Sequence, residues 1–139
     1  MNGNNIHELI ENYIAEDAAV LQKIKLPGLQ KNVTVYLKRE DLTHPIISGN
    51  TWRKLKYNLI KAEEEGYKTL LSFGGAYSNH IHALSGAGKI FGFKTIGIIR
   101  GEETLPLNPT LTFAKNNGMR IEYVSRSIYK KKRRVKFYR

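Results

Sequence analysis

The sequence contains no cysteine and only one tryptophan, two methionines and four prolines. Without cysteine the chain cannot form disulfides, thiolate metal sites or a cysteine nucleophile, and this fits a reducing compartment. It also lacks any apolar run near the roughly 18 residues of a membrane-spanning helix. Residues 1–16 lack the basic-then-apolar order of a signal peptide. We therefore expect a cytoplasmic protein with no membrane partner.

Acidic residues are scarce, since 12 Asp and Glu stand against 23 Lys and Arg and give a net charge of +11. The excess is concentrated in Arg126 to Arg139, which holds eight basic residues and no acid, whereas residues 1–125 carry only +3. The body of the chain therefore does not indicate a polyanion partner. Its length and its 41% hydrophobic content indicate one globular domain.

Apolar periodicity predicts alternating strands and helices along most of the chain. The first half is predicted as a helix over Ile6–Ala15, a strand over Val33–Leu37, a loop over Leu42–Asn50 and a helix from Trp52 to Gly66. The second half is predicted as strands at Thr69–Phe73, Lys94–Ile99 and Arg120–Val124, with helices at Asn79–Phe91 and Asn108–Asn116. This order predicts an α/β fold with a parallel βαβαβ sheet covered by helices.

Gly74 to His80 follows a predicted buried strand, where parallel sheets place their ligands. Glycines there allow a ligand to approach the backbone, and a helix starting near Ser78 would offer free amides to an anion. Ser and Asn after a strand are also ordinary helix caps. The local pattern alone favours the capping interpretation.

The combination of three segments is a more specific signal of function than the pattern at Gly74 to His80 alone. The segments are Lys38–Pro45 (KREDLTHP), Ser48–Tyr57 (SGNTWRKLKY) and Gly74–His80 (GGAYSNH). In this order and spacing they resemble the aminocyclopropanecarboxylate deaminase and D-cysteine desulfhydrase family, with the likeness running from about Val33 to Arg126. The resemblance implies the tryptophan-synthase-β-like fold (fold type II) of pyridoxal 5'-phosphate enzymes. It also implies that residues 1–125 correspond to an N-terminal cofactor-lysine region and a small α/β domain, truncated from a longer chain.

The same resemblance exposes one departure from the family pattern. The family's Schiff-base lysine follows the Gly-Asn pair, and this position is occupied by Thr51. A hydroxyl cannot condense with the cofactor aldehyde, because that bond requires a primary amine. We therefore expect the chain to be inactive as it stands, and its retention of the cofactor to be weak.

The resemblance also assigns roles to the neighbouring residues. Asn50, Lys54 and Asn79 would contact the cofactor, with Asn79 reaching its ring oxygen. Ser78 would face the carboxylate of a small amino-acid substrate and act in proton transfer or as a nucleophile. Asn79 would also contact the substrate, and His80 would stand beside the substrate or be a plain helix-start residue. Lys54 is the one local candidate to replace the missing amine, but we favour an accessory contact because the ring would have to shift.

Four further side chains have structural interpretations. His44 and His82 have no carboxylate or histidine company at ligand spacing, so we propose no metal. Trp52 and Tyr57 could pack near the cofactor, but aromatic residues on a helix more often belong to the core.

Residues 126–139 form a separate basic tail, which we expect to be disordered or out of the family's register. One alternative makes it a binder of nucleic acid or acidic surfaces, with Tyr129, Phe137 and Tyr138 as stacking residues. Another makes it a solvated terminus. We favour the change of register, because the composition shifts abruptly after Arg126. The preferred function is thus a truncated deaminase or desulfhydrase relative. We also expect self-association through an exposed sheet edge or through the face where the missing domain would dock.

Overall fold

The computed structural model describes residues 5–131, and the chain divides into two compact units, residues 1–60 and 61–139. The first unit contains helix α1 (Ile6–Tyr13), strands β1 (Leu21–Ile24) and β2 (Val35–Lys38), and most of helix α2 (Gly49–Glu64). The second contains the end of α2 and then β3 (Thr69–Gly74), α3 (Asn79–Phe91), β4 (Lys94–Arg100), α4 (Pro109–Asn116), β5 (Arg120–Val124) and α5 (Arg126–Lys130).

Helix α1 forms because its apolar residues recur at helical spacing and its start is capped. Ile6 and Ile10 are buried, and so is Ile14 just beyond the helix. Asn5 precedes the first turn, where its side-chain oxygen accepts a hydrogen bond from the backbone N–H of His7 at 3.0 Å. Burial of each isoleucine contributes about 2 kcal/mol.

Strands β1 and β2 pair antiparallel, with Leu21 opposite Lys38 and Ile24 opposite Val35. They form a two-stranded sheet in the described part of the chain. Leu21, Tyr36 and Leu37 are about half or more exposed on this hairpin. The sequence indicated β2 but not β1, and the two strands belong to a different sheet from β3, β4 and β5.

The second unit is the predicted βαβαβ arrangement, because β3, β4 and β5 form a parallel sheet in that order. Helix α3 contacts β3, β4 and α4. Ile81, Leu84 and Phe91 of α3 are buried, together with Ile98 and Ile99 of β4 and Leu111 and Ala114 of α4. The predicted α/β fold with a helix-covered parallel sheet is confirmed.

Several predicted boundaries coincide with the structure. Helix α3 ends at Phe91 because Gly92, at φ +76°, adopts the left-handed conformation that closes a helix. Helix α4 begins after Asn108, whose side chain accepts a hydrogen bond from the backbone N–H of Leu111 at 3.1 Å. Among residues 5–131, no helix has the length and apolar character needed to cross a bilayer.

The first residues of the basic tail are ordered into α5. Ser125 caps this short helix by accepting a hydrogen bond from the backbone N–H of Ile128. Tyr129 is half-buried, with its ring edge-on to Phe73 at 6.0 Å and 5.7 Å from the guanidinium of Arg100. It therefore packs within the second unit, while Phe137 and Tyr138 lie outside the described residues.

Candidate functional site

The loop from β3 to α3 is built around Ser78, which is the N-cap of α3. Its Oγ accepts a hydrogen bond from the backbone N–H of Ile81 at 3.3 Å, and its own N–H donates to the carbonyl of Gly75 at 3.1 Å. The capping interpretation therefore holds. Within residues 5–131 this oxygen acts only as an acceptor, so the hydroxyl proton of Ser78 can be donated to a ligand.

Gly74 brings β3 directly beneath the start of α3. A side chain at Gly74 would begin 2.9 Å from Cβ and Oγ of Ser78, and closer still to Ile81. Real side chains do not tolerate such distances, so the strand and the helix can meet this closely only at glycine. At Gly74 the chain therefore places backbone without a side chain against the first turn of α3.

Positive electrostatic potential converges on this turn. The N-terminus of the 13-residue helix α3 carries the positive end of its dipole. Arg100, at the carboxyl end of β4, adds a guanidinium whose Nη2 would lie 3.9 Å from a side chain begun at Gly75. Together with the Ser78 hydroxyl, these groups favour an anion such as a carboxylate.

His80 and Asn79 occupy the first turn of α3 but differ in exposure. Asn79 is exposed, while His80 is half-buried with its Nε2 2.8 Å from Oγ of Ser72. Ser72 lies on β3 and thus fixes the imidazole from the adjoining strand. Sequence reasoning overlooked Ser72, although a hydroxyl residue within the apolar run from Leu70 to Phe73 was an available signal.

The residues carried over from the second motif lie in the other unit, on the first turns of α2. This helix begins at Gly49, three residues before the predicted start at Trp52, so Asn50 and Thr51 are helical and not in a loop. Thr51 is half-buried, whereas Asn50 and Lys54 are exposed. Lys54 stands one turn along the same side of the helix.

Glu16 anchors the start of α2. Its carboxylate accepts hydrogen bonds from Nζ of Lys56 at 2.7 Å, the indole Nε1 of Trp52 at 3.1 Å and Nη1 of Arg53 at 3.1 Å. The hydrogen bond from Lys56 is the main cause of a lowered Glu16 pKa, which Trp52 and Arg53 reinforce against partial desolvation. This network, unforeseen from the sequence, holds the helix that carries Thr51.

The charged residues of the first motif are largely paired among themselves. Glu40 accepts from Lys38 at 2.8 Å and from Nε of Arg53 at 3.1 Å, and these hydrogen bonds, led by that from Lys38, lower its pKa. Arg39 forms a two-point contact with Asp41 at 2.9 and 2.8 Å. These charged residues of the motif therefore form ion pairs within the first unit.

The structure bears differently on the four side chains that were given structural interpretations. His44 and His82 are engaged in packing: Nδ1 of His44 accepts the backbone N–H groups of Ile46 and Ile47 at 3.0 Å, and His82 stacks on Phe113 at 3.9 Å. Trp52 is fully buried, as expected of a core residue. The core interpretation of Tyr57 is wrong, because 71% of its surface is exposed.

Comparison with known proteins confirms the family resemblance. A Pyrococcus abyssi protein with the provisional name 1-aminocyclopropane-1-carboxylate deaminase is 42% identical over 85 residues, covering 60% of this chain and 26% of that protein. The Arabidopsis thaliana bifunctional D-cysteine desulfhydrase/1-aminocyclopropane-1-carboxylate deaminase is 31% identical over 85 residues, covering 61% of this chain and 21% of that protein. A Salmonella paratyphi B D-cysteine desulfhydrase is 31% identical over 90 residues, covering 63% and 25%. The chain thus spans about a quarter of the length of these relatives.

Solved structures confirm the fold. A crystal structure described as an ACC deaminase homologue superposes with a TM-score of 0.64 at 28% identity, covering 88% of this chain and 38% of that one. A hydrogen sulfide-producing enzyme from Fusobacterium nucleatum superposes with a TM-score of 0.57 at 12% identity, covering 90% and 43%, and supports the fold alone. The chain therefore has part of the fold of fold type II pyridoxal-phosphate enzymes, since it covers less than half of either structure. No protein-family model matches the chain.

Proposed function

We propose that the chain carries part of the site of a pyridoxal-phosphate-dependent deaminase or desulfhydrase and that it does not turn over amino acids by itself. The activity of the complete site would be ring opening of aminocyclopropanecarboxylate with deamination, or elimination of sulfide from D-cysteine. The names of the relatives support this class. The observation that carries the proposal of inactivity is Thr51, a half-buried hydroxyl residue in the first turn of α2.

The residues present fit the cofactor only in part. When bound through a lysine amine, pyridoxal phosphate supplies an electron sink for bonds at the amino acid's Cα. Thr51 has no amine, and Lys54 is an exposed side chain one turn further along α2. Asn50, Lys54 and Asn79 are exposed polar groups able to make noncovalent contacts. The covalent requirement is not met, so cofactor retention by this chain is weak.

The turn before α3 fits the recognition of a substrate carboxylate. Ser78 keeps a proton to donate, the first amides of α3 face the same turn, and Arg100 brings a positive charge beside Gly75. His80, which is oriented by Ser72 in the first turn of α3, can hold or move a proton. A small amino acid therefore suits this turn through its carboxylate.

Two further properties belong to the same proposal. The β1–β2 hairpin exposes Leu21, Tyr36 and Leu37 on strands with no third partner in the described part of the chain, which favours self-association. We place the protein in the cytoplasm, because a sequence without cysteine fits a reducing compartment.

Borohydride trapping tests the central point. The wild-type chain and the Thr51→Lys variant are incubated with pyridoxal phosphate and reduced, and each modified lysine is located by peptide mass analysis. A Thr110→Lys variant is the matched control, since residue 110 is also a half-buried threonine in the first turn of a helix. We expect the wild type to show only scattered surface labelling and Thr51→Lys to label stoichiometrically at residue 51.

The alternative outcomes are distinguishable. Clean wild-type labelling at Lys54 would show that the imine has moved and that the proposal of inactivity is wrong. Labelling of Thr110→Lys to the same extent as Thr51→Lys would refute a built site at residue 51. Amino-acid turnover by the wild-type chain well above that of free pyridoxal phosphate would overturn the assignment of inactivity to Thr51.

A further inference from the structure

A pocket of about 250 Å³ lies against β5, an edge strand of the parallel sheet formed by the described residues. Its walls include three aliphatic or thioether side chains and three polar ones: Leu107, Met119, Ile121, Glu103, Lys115 and Tyr123. Gly74, Ile99 and Tyr123 are successive partners across the sheet, so the pocket is two strands away from the turn before α3. Its size suits a molecule smaller than a typical drug-sized ligand.

The hydroxyl of Tyr123 is the least satisfied group in this pocket. It is buried and has no hydrogen-bond partner among the described residues. Desolvation, and secondarily the charge of Glu103, raise the pKa of Tyr123, so the hydroxyl stays protonated and is a donor at neutral pH. Because an unmade hydrogen bond at a buried polar group is costly, an acceptor oxygen entering the pocket would be stabilised.

The charges at the pocket are of both signs and are not neutralised by pairing. Glu103 lies between β4 and α4, and Lys115 lies in the last turn of α4. Neither forms a salt bridge within residues 5–131. The guanidinium of Arg120, which also borders the pocket, is held by Glu122 at 2.7 Å. Lys115 and Glu103 therefore remain as one cation and one anion for a ligand.

We propose that this pocket binds a small zwitterionic amino acid with an aliphatic side chain. Its carboxylate accepts the hydroxyl proton of Tyr123 in a hydrogen bond and faces Lys115, and its ammonium group faces Glu103. The aliphatic side chain contacts Leu107, Met119 and Ile121, which supply the apolar wall. A simple anion would be repelled by Glu103, and a simple amine would leave the Tyr123 hydroxyl unsatisfied. The site is separate from the carboxylate-binding turn of the proposed function and does not depend on Thr51.

The test is a titration of the unaltered 139-residue chain followed by methyl and amide NMR. L-leucine is the probe, and two molecules with the same aliphatic skeleton are the controls: 4-methylpentanoate lacks the ammonium group and 3-methylbutylamine lacks the carboxylate. We expect saturable shifts at Leu107 and Ile121 with leucine. Each control should bind at least about tenfold more weakly, as the loss of one charged contact predicts.

Variants then assign the contacts. Tyr123→Phe removes only the hydroxyl and should weaken leucine binding about tenfold, and Glu103→Gln and Lys115→Met should weaken it as well. Tyr67→Phe and Lys89→Met change exposed residues outside the pocket and should leave binding unaltered. Three results would each overturn the proposal and leave a pocket that holds solvent only: no saturable shifts at millimolar leucine, binding of either control as tightly as leucine, or unaltered binding by Tyr123→Phe.

Discussion

Replacing Glu16 should loosen the helix that carries Thr51. In the Glu16→Ala variant α2 loses hydrogen bonds from Trp52, Arg53 and Lys56, two of which are ion pairs. Charged hydrogen bonds contribute about 1.5–3 kcal/mol each when buried and about 0.2–1 kcal/mol at the surface. The Glu16 side chain is 31% exposed, so each hydrogen bond contributes an amount between these two ranges. We expect a loss of about 2 kcal/mol in the free energy of unfolding.

Trp52 provides the assay, because it is the single tryptophan and is fully buried. Its fluorescence during urea unfolding reports on the first unit directly. The matched control is Asp17→Ala, which removes a neighbouring carboxylate that forms no salt bridge within residues 5–131. The control should change the free energy of unfolding by less than about 0.5 kcal/mol.

The pH dependence gives an independent check on Glu16. Its pKa is lowered in the folded chain, so its stabilisation is fully present above the ordinary glutamate pKa of about 4.3. It is lost as the pH falls through the lowered value. Glu16→Gln should therefore flatten the fall in stability below this range. Equal free energies of unfolding for Glu16→Ala and Asp17→Ala would contradict the anchoring role of Glu16. So would a Glu16→Gln variant whose free energy of unfolding falls at low pH as steeply as that of the wild type.

Two further predictions concern His44 and Gly74. Burial lowers the pKa of His44. Because the unfolded chain binds a proton at His44 at a higher pH than the folded chain, the free energy of unfolding should fall as the pH drops below about 6.5. In urea unfolding, His44→Asn should lose less of this free energy between pH 7.5 and 5 than the wild type, and an equal loss would contradict the prediction. Gly74→Ala should destabilise the second unit by about 1–3 kcal/mol because the added methyl would meet Ser78 and Ile81. Gly75→Ala, whose nearest neighbour is Arg100 at 3.9 Å, should be tolerated, and circular dichroism melts that rank the two variants equally would refute the close packing.

The elements that the sequence predicts correctly are those whose signals lie next to them in the chain. Helix α3 was delimited correctly because Ser78 caps its start and Gly92 ends it, and both signals lie next to the helix. Strand β1 was missed because Leu21–Ile24 has no regular alternation and is ordered by pairing with β2, more than ten residues away. The early start of α2 was missed because the turn-favouring residues Gly49 and Asn50 were assigned to the preceding loop.

In the candidate site, too, the sequence predicts what depends on neighbouring residues and misses contacts between residues far apart in the chain. Ser78, Asn79 and His80 could be placed at a helix start from the sequence, because strand, glycines and helix follow one another directly. The contact of His80 with Ser72 depends on the packing of α3 against β3. The Glu16 network joins residues 36 to 40 positions apart, and no pattern along the chain identifies such partners.

The capping role of Ser78 limits what this residue indicates about function. Its hydroxyl accepts a hydrogen bond from the first turn of α3, and loss of such a cap costs about 1 kcal/mol. Folding alone therefore selects for serine here, whether or not an amino acid is ever bound. The presence of Ser78 is consequently no evidence of catalysis.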